Sequence, residues 1–261
     1  MENYDKKVLD LSMEAGRVLL DAGAEIFRVE ETIKRIAMAY GIEKCSSFVL
    51  STGIFLTAEN ENGEIYASVK HIPIQGAKLH RIAAVNQLSR EIVEGKYSLS
   101  EAEEKLEEIK NIPDKKFMEK VLASGIGSGG FCYLLGGDMK DVIAAFLSGF
   151  LLYLILSVMD KREKATSKIV VNLIGGFCVS LFAVVFYQIG LGNSAGRILV
   201  GSIMPLVPGV SLVNAVRDFA EGNYIGGGVR FLDAIMVALG IAMGVGLMYM
   251  LYYRLTGRII L

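Results

Sequence analysis

The sequence is poor in the side chains that most often build catalytic and metal centres. It has three cysteines, none at CxxC spacing, and two histidines, His71 and His80, with no cysteine or carboxylate at metal-ligand spacing. It also contains no GxSxG, HExxH or Walker-loop motif. A metal site, a cofactor and enzymatic activity are therefore not expected, and a net charge of −1 gives no support for nucleic-acid binding.

Charge and apolar residues are unevenly distributed along the chain. The sequence is 52% hydrophobic and has a mean hydropathy of +0.45, yet 21% of its residues are charged, and most of these precede residue 121. Five apolar segments separated by short loops follow. This division predicts a small cytoplasmic α+β domain over residues 1–114 and an α-helical membrane bundle of five transmembrane helices over residues 115–261.

The first domain begins with a long amphipathic pattern. Apolar residues recur at helical spacing from Tyr4 to Tyr40, which predicts one long helix or two helices broken at Gly23. A charged cluster, Glu25, Arg28 and Glu30, lies within this stretch. Opposite charges three and four residues apart are typical of a solvated helix face, where each pair contributes only a few tenths of a kcal/mol.

A β-hairpin and two further helices are predicted next. The segments Ser46–Ala58 and Glu64–Ile72 are rich in β-branched and aromatic residues and flank the turn-forming residues 60–63. Helical periodicity then returns over Leu79–Glu94. The last helix of the domain begins at a serine cap, Ser98 or Ser100.

Each of the five apolar segments is long enough to cross a bilayer. They are Phe117–Leu135, Val142–Met159, Ile169–Ile189, Ile198–Val216 and Leu232–Tyr253. Most basic residues of the short flanks would lie on one side, including Lys115, Lys116, Lys164, Lys168 and Arg230. The positive-inside bias therefore predicts a multi-pass membrane protein with the N-terminal domain in the cytoplasm and the C-terminus outside.

Small residues are spaced along the apolar segments. Gly125 with Gly129 and Gly240 with Gly244 each match GxxxG, a spacing that lets helix backbones approach closely. Close packing within or between chains is therefore the expected role of these glycines.

One apolar segment carries a signal for a broken membrane helix. The run from Arg197 to Arg217 contains two prolines and a glycine at its middle, which remove backbone donors and allow the helix to restart at another angle. Irregular backbone at membrane depth is tolerated where it faces protein or a polar cavity, and transporters bind substrate at such breaks. The alternative is a proline-kinked packing helix. The predicted substrate-binding residues are Ser202, Met204, Pro205, Pro208, Gly209, Ser211 and Asn214.

Acidic residues near the ends of spans are candidates for proton coupling. Asp233 lies at the head of the fifth apolar segment and Asp218 follows the broken one. Ionisable groups in membrane segments are costly and commonly mark ion or proton pathways. The alternative for Asp233 is a plain ion pair with Arg230 or Arg217.

These features together resemble the threonine/serine exporter (ThrE) family over nearly the whole chain. The resemblance rests on Ala22-Gly23-Ala24-Glu25 with Arg28-Val29-Glu30, Leu79-x-Arg81 with Asn86-Gln87-Leu88, the Ser100-Glu101-Ala102 helix, and Pro205-x-x-Pro208-Gly209. It implies a secondary exporter of small polar metabolites, threonine and serine or else succinate, driven by the proton motive force. Hydrolase-like features suggested for the family would map onto Glu25, Arg28 and Glu30.

Long members of the family continue into a second membrane half of about five more spans. The chain therefore resembles the larger component of a split exporter, similar to the two-chain succinate exporter, with a small five-span membrane protein as its expected partner and a homo-oligomer also expected. The alternative from another class is a membrane-anchored sensor or assembly subunit without transport activity. The interrupted span favours the carrier, because an anchor does not need one.

Overall fold

The computed structural model describes residues 3–59, 64–73, 77–162 and 167–258. The predicted turn at 60–63 and the flanking Lys164 lie outside the described residues. Contacts divide the chain into two compact units, one formed by Met1–Pro113 with Val210–Leu232 and the other by Asp114–Gly209 with Asp233–Leu261. The first unit is therefore built from two separate stretches of sequence.

The long amphipathic pattern at the start of the chain forms two helices, α1 (Asn3–Asp21) and α2 (Ile26–Ala39). They separate at Gly23, whose φ of +77° is a conformation that favours glycine. The helices α3 (Leu79–Val93) and α4 (Leu99–Lys110) follow the sheet. The cap of α4 is Ser98, whose hydroxyl and backbone are bonded reciprocally to Glu101 in a capping box.

The predicted two-stranded hairpin is in fact a three-stranded antiparallel sheet in the order β1-β2-β3. Its strands are β1 (Cys45–Leu50), β2 (Gly53–Glu59) and β3 (Ile65–His71). A turn at Ser51 and Thr52 divides the predicted strand Ser46–Ala58 into two strands. Ser51 donates a buried hydrogen bond of 2.9 Å to the carbonyl oxygen of Gly226, so the turn is held by a residue far along the chain.

In the described residues after Pro113 the chain forms six α-helices. They are α5 (Phe117–Leu134), α6 (Met139–Arg162), α7 (Lys168–Gln188), α8 (Ala195–Ile203), α9 (Gly209–Ala220) and α10 (Tyr224–Thr256). Within the described ranges, α6, α7 and α10 are long and apolar enough to cross a membrane, and α8 with α9 is a fourth candidate if the bent pair is one span. The first predicted span, which corresponds to α5, is not among them, because glycines, serines and Glu119-Lys120 lower its hydropathy.

Close helix packing in the second unit depends on glycine. A Cβ atom added to Gly125 would lie 3.0 Å from the carbonyl oxygen of Phe146 on α6, and one added to Gly240 would lie 2.9 Å from that of Ile169 on α7. At Gly244 the added atom would collide with the carbonyl oxygen of Leu173. The GxxxG spacings of α5 and α10 therefore lie at contacts between helices of one chain.

We expect Gly244→Ala to lower the free energy of unfolding by about 2 kcal/mol, because backbone atoms cannot move aside for the added methyl group. Gly246→Ala is the matched control, since nothing lies within 4 Å of a Cβ at that position. The control should be neutral or slightly stabilising, as alanine favours helix. Thermal unfolding in detergent, followed by circular dichroism, measures both, and equal melting temperatures would contradict the packing described for Gly244.

Candidate functional site

The apolar run between Arg197 and Arg217 is interrupted at its prolines. Helix α8 is followed by a single 3-10 turn, Met204–Leu206, and Val207 is extended with φ −64° and ψ 127°. An extended residue is what a following proline favours. Helix α9 begins at Gly209. The predicted break is thus present in the structure.

An apolar groove borders the break. Val207 and Pro208 line it together with residues of α10, namely Ala238, Ile241, Ala242, Val245 and Gly246. Irregular backbone therefore lies beside a space between helices. No charged side chain lines this groove, so a charged ligand would need other groups to bind it.

Two of the polar side chains predicted around the break, those of Ser202 and Asn214, have hydrogen-bond partners within the chain. The buried Ser202 hydroxyl donates to the carbonyl oxygen of Ile198 at 2.6 Å, and Asn214 donates its amide to that of Gly23 at 3.1 Å. Ser211 is half-buried, and Pro205 and Gly209 are exposed.

The two predicted proton-coupling residues lie in different surroundings. The side chain of Asp233 is 24% exposed and pairs with Lys168 at 3.2 Å. Neither Arg230 nor Arg217, the partners considered from the sequence, is its partner. Asp218, in contrast, is completely buried.

The side chain of Asp218 faces that of Arg230. The sequence did not indicate this role for Arg230. Arg230 is 7% exposed, and its Nη1 lies 3.4 Å from Oδ2 of Asp218. Neither oxygen of Asp218 accepts a hydrogen bond from a described residue, and Arg230 Nη1 donates none. The amide of Ile26, at the start of α2, lies near the carboxylate but outside hydrogen-bond geometry. A buried carboxylate that accepts no hydrogen bond from a described residue is costly, which makes the pair a candidate functional site.

The loop between α1 and α2 supplies further contacts to this pair. Arg230 Nη2 donates to the carbonyl oxygen of Ala24 at 2.7 Å. The Glu25 carboxylate contacts Arg217 of α9 and also accepts from Nε of Arg28 at 3.1 Å. The predicted charged cluster is therefore not only a solvated helix face, since Glu25 joins it to the residues that follow the break.

Glu30, the third member of that cluster, has a separate role. Its Oε1 accepts a 3.0 Å hydrogen bond from the backbone N–H of Val49 in β1. Burial raises the pKa of the Glu30 carboxyl, and the Val49 hydrogen bond opposes this shift only in part. This hydrogen bond connects α2 to the sheet, but it requires that the charged carboxylate of Glu30 be partly buried.

We expect Glu30→Gln to stabilise the protein above neutral pH by less than about 1 kcal/mol, since glutamine keeps the acceptor and removes the buried charge. A raised pKa means that ionised Glu30 opposes folding, and this effect is absent below the pKa of the unfolded chain and complete above that of the folded one. The difference in melting temperature between the two proteins should therefore be present at pH 8 and vanish near pH 4. A difference that is equal at both pH values would contradict the assignment.

A second buried carboxylate, Asp141, was missed from the sequence. It lies in the first turn of α6 and is fully buried, and its Oδ1 accepts from the amides of Asn193 and Ser194 at 2.7 and 2.9 Å. Arg197 lies 3.7 Å from its other oxygen. The sequence does contain a signal for Asp141, because this residue lies at the start of an apolar segment, as Asp233 does. Its hydrogen bonds hold the loop between α7 and α8.

No group of three or more histidine, cysteine, aspartate or glutamate side chains that could hold a metal ion occurs in the part of the chain that the structure describes. Among the described residues, no hydroxyl or thiol lies at hydrogen-bond distance from the side chains of Glu25, Arg28 and Glu30. The described geometry around them is that of ion pairs and a backbone contact.

The family model described as a putative threonine/serine exporter matches residues 10–252. The chain belongs to this family. Among its relatives in the threonine/serine exporter family, the threonine/serine exporter of Corynebacterium glutamicum is 26% identical over 92% of this chain and 50% of its own length. The probable threonine/serine exporter of Mycobacterium tuberculosis is 25% identical over 93% of this chain and 46% of its own. The chain thus spans about half the length of these two relatives.

Another relative is similar in length to this chain. The probable succinate transporter subunit YjjP of Escherichia coli is 24% identical over 92% of this chain and 93% of its own length. No solved structure matches the chain. The family resemblance noted from the sequence is confirmed.

Proposed function

We propose that this chain is an exporter, or an exporter subunit, of small carboxylate metabolites in the cell inner membrane. The observation that carries the proposal is a candidate span broken at Pro205-x-x-Pro208-Gly209 in a member of an exporter family. Threonine and serine are the preferred substrates, because two full-length relatives carry those names. Succinate is the alternative, supported by the relative named a succinate transporter subunit.

The substrate carboxylate would bind at the start of α9. The first amides of a helix lack intrahelical partners and carry the positive end of its dipole, which favours an anion. Gly209 and Ser211 belong to this first turn, and the apolar groove at Val207 and Pro208 would receive the uncharged part of the substrate. The substrate path next to this site would be lined by Ser202, Met204, Pro205 and Asn214.

The proton motive force would drive export through Asp218. Asp218 is buried beside Arg230 without a hydrogen bond from a described residue, whereas Asp233 is partly exposed and paired with Lys168. A proton carrier must exchange its proton and its ion pair during the cycle, and an under-bonded buried pair is suited to this. Asp233 is the second choice for the same role.

The N-terminal α+β domain would lie in the cytoplasm, where the contact between Glu25 and Arg217 would act in gating. The C-terminus would lie outside. A small five-span membrane protein of the same family would supply the second half of the carrier, because two relatives of similar length are named transporter subunits. A homo-oligomer of this chain is the other arrangement that would complete it.

The test is efflux of preloaded labelled threonine, serine and succinate from proteoliposomes, with and without a proton gradient. The chain is reconstituted alone and together with its partner. Gradient-dependent efflux from the chain alone indicates a homo-oligomeric carrier, and efflux only with the partner indicates a split one. No efflux in either case would contradict the proposal and favour a membrane-anchored sensor or assembly subunit.

A further inference from the structure

The three-stranded sheet of the first unit carries apolar side chains on both of its faces. One face, which includes Ile54 and Leu56, is buried in the core of the unit. On the opposite face Phe48 is 55% exposed, Phe55 42% and Val69 63%. A sheet with one solvated face normally alternates apolar and polar residues, so apolar residues on both faces indicate a sheet that is covered on both sides. The exposed side is termed the outer face and comprises Ser46, Phe48, Phe55, Thr57, Ile65, Ala67 and Val69.

Strand pairing places the apolar side chains of the outer face next to one another. Phe48 is directly opposite Phe55, and Phe55 is directly opposite Val69, so the three form one row across the sheet. The ring centroids of Phe48 and Phe55 are 6.2 Å apart. Ile65 is 76% exposed and lies on the same face of β3, four residues before Val69. These side chains therefore form a contiguous patch, which marks an interaction surface more often than single exposed apolar residues do.

The outer face has few ionisable groups. Ser46, Thr57 and Ala67 form the row next to the apolar one. Within the described strands, the ionisable side chains on this face are Glu59 at one end and His71 at the other. Nucleic acids and anionic membrane surfaces are bound through clusters of basic residues, so neither suits this face. Its occupant must instead present an uncharged, apolar surface.

The exposed apolar area is sufficient for a contact between two copies. A phenylalanine side chain has a surface of about 200 Å², so the exposed parts of Phe48 and Phe55 offer about 200 Å² together. Ile65 and Val69 add roughly as much, and the bordering small and polar residues bring two facing copies to about 1,000 Å², the smallest area expected of a specific interface. Two copies that are held in one membrane also lose less freedom on association, so an interface of this size is adequate.

We propose that the outer face binds the outer face of a second copy of this chain. An apolar and nearly uncharged sheet face is complementary to itself, as a two-fold symmetric contact requires. Two such sheets pack face to face about 10 Å apart, with the side chains of their facing sides interdigitated. The inference rests on the proposed function only for the location of both copies in one membrane, and it identifies the surface through which the homo-oligomer forms.

The experiment measures energy transfer between donor- and acceptor-labelled copies of the full chain in proteoliposomes, as added lipid dilutes the protein. We expect Phe55→Lys to raise the dissociation constant of the dimer at least about a hundredfold, because it places like charges in a contact that excludes water. Met38→Lys is the matched control, since Met38 is a half-exposed apolar residue of α2 away from the sheet. The control should dimerise as the wild type does.

Mixing two charge variants tests whether the occupant is a second copy. Phe55 lies on the central strand of the sheet, so the residues at this position come close together in a two-fold dimer. Phe55→Lys and Phe55→Glu should each remain monomeric alone, and an equal mixture of the two should recover energy transfer. A face that binds lipid or a different protein gives no such recovery.

Disulfide cross-linking tests the same contact without removing an apolar side chain. Thr57 is exposed on the outer face beside Phe55, and Thr57→Cys should form a covalent dimer in oxidised membranes. Glu104→Cys, at an exposed position of α4, should not. The native cysteines are the same in both variants, so any cross-link through them contributes equally.

A wild-type chain that stays monomeric, or a dissociation constant unchanged in Phe55→Lys, would overturn the inference. Loss of the dimer in Phe55→Lys without recovery in the mixture would overturn the second copy as the occupant. None of the substituted residues is among those proposed to bind substrate or protons. Gradient-driven export by a monomeric chain would therefore overturn this inference alone, and a dimer that exports nothing, with or without the partner, would overturn the export function alone.

Discussion

Asp218→Asn is expected to abolish gradient-driven export while the chain still inserts and folds. Asparagine keeps the size of the side chain but cannot carry a proton or a negative charge. Removing one member of a buried ion pair leaves the other charge unpaired, at a cost of about 3–5 kcal/mol, so reduced stability is expected as well. Initial rates of labelled threonine efflux from proteoliposomes, with and without an imposed proton gradient, measure the effect.

Two controls separate loss of coupling from loss of the fold. Glu221→Gln removes an exposed acid just after α9 and should leave the gradient response unchanged. The double variant Asp218→Asn with Arg230→Gln removes both buried charges and should recover stability but not export. If Asp218→Asn responds to the gradient as the wild type does while Asp233→Asn does not, the coupling carboxylate is Asp233.

Gly209→Leu should also abolish export, by filling the start of α9 where the substrate carboxylate is proposed to bind. The position is suited to this test because nothing within the chain lies within 4 Å of a Cβ built there. Its N–H bonds the carbonyl oxygen of Val207 at 2.8 Å, and leucine preserves that bond. A loss of export at normal expression and melting temperature therefore reports on the substrate path.

Val213→Leu is the matched control, because Val213 is an exposed residue of the same helix one turn further on. It should export at the wild-type rate. Export at that rate by Gly209→Leu as well would remove the break from the substrate path, while the family membership of the chain would be unaffected.

Local features of the fold could be predicted from the sequence because they depend on neighbouring residues. The break at Pro205 and Pro208 follows from missing amide donors, and the division of the first helix follows from Gly23. The turn at Ser51 was missed because part of what holds it is Gly226, 175 positions away. The periodicity of apolar residues describes one helix or strand at a time. It gives no information on contacts between residues that are distant in the sequence.

The candidate site was predictable only in part for the same reason. Asp218 could be selected as an acid that follows a broken span, and Glu25 through the family resemblance, but nothing local shows that Arg217 contacts Glu25 or that Arg230 lies beside Asp218. From the sequence, Arg230 is one of the basic residues that flank the spans and indicate the orientation of a membrane protein. Its burial, which gives it a different role, depends on the loop between α1 and α2.

The discontinuity of the first compact unit has a consequence for the order of synthesis. Residues up to Pro113 leave the ribosome before Val210–Leu232, which completes their unit. At bacterial elongation rates the interval is on the order of ten seconds. During it the carbonyl groups of Gly23 and Ala24 have neither Asn214 nor Arg230 as partner. The nascent N-terminal segment therefore cannot complete its fold until the residues that follow α8 have been synthesised.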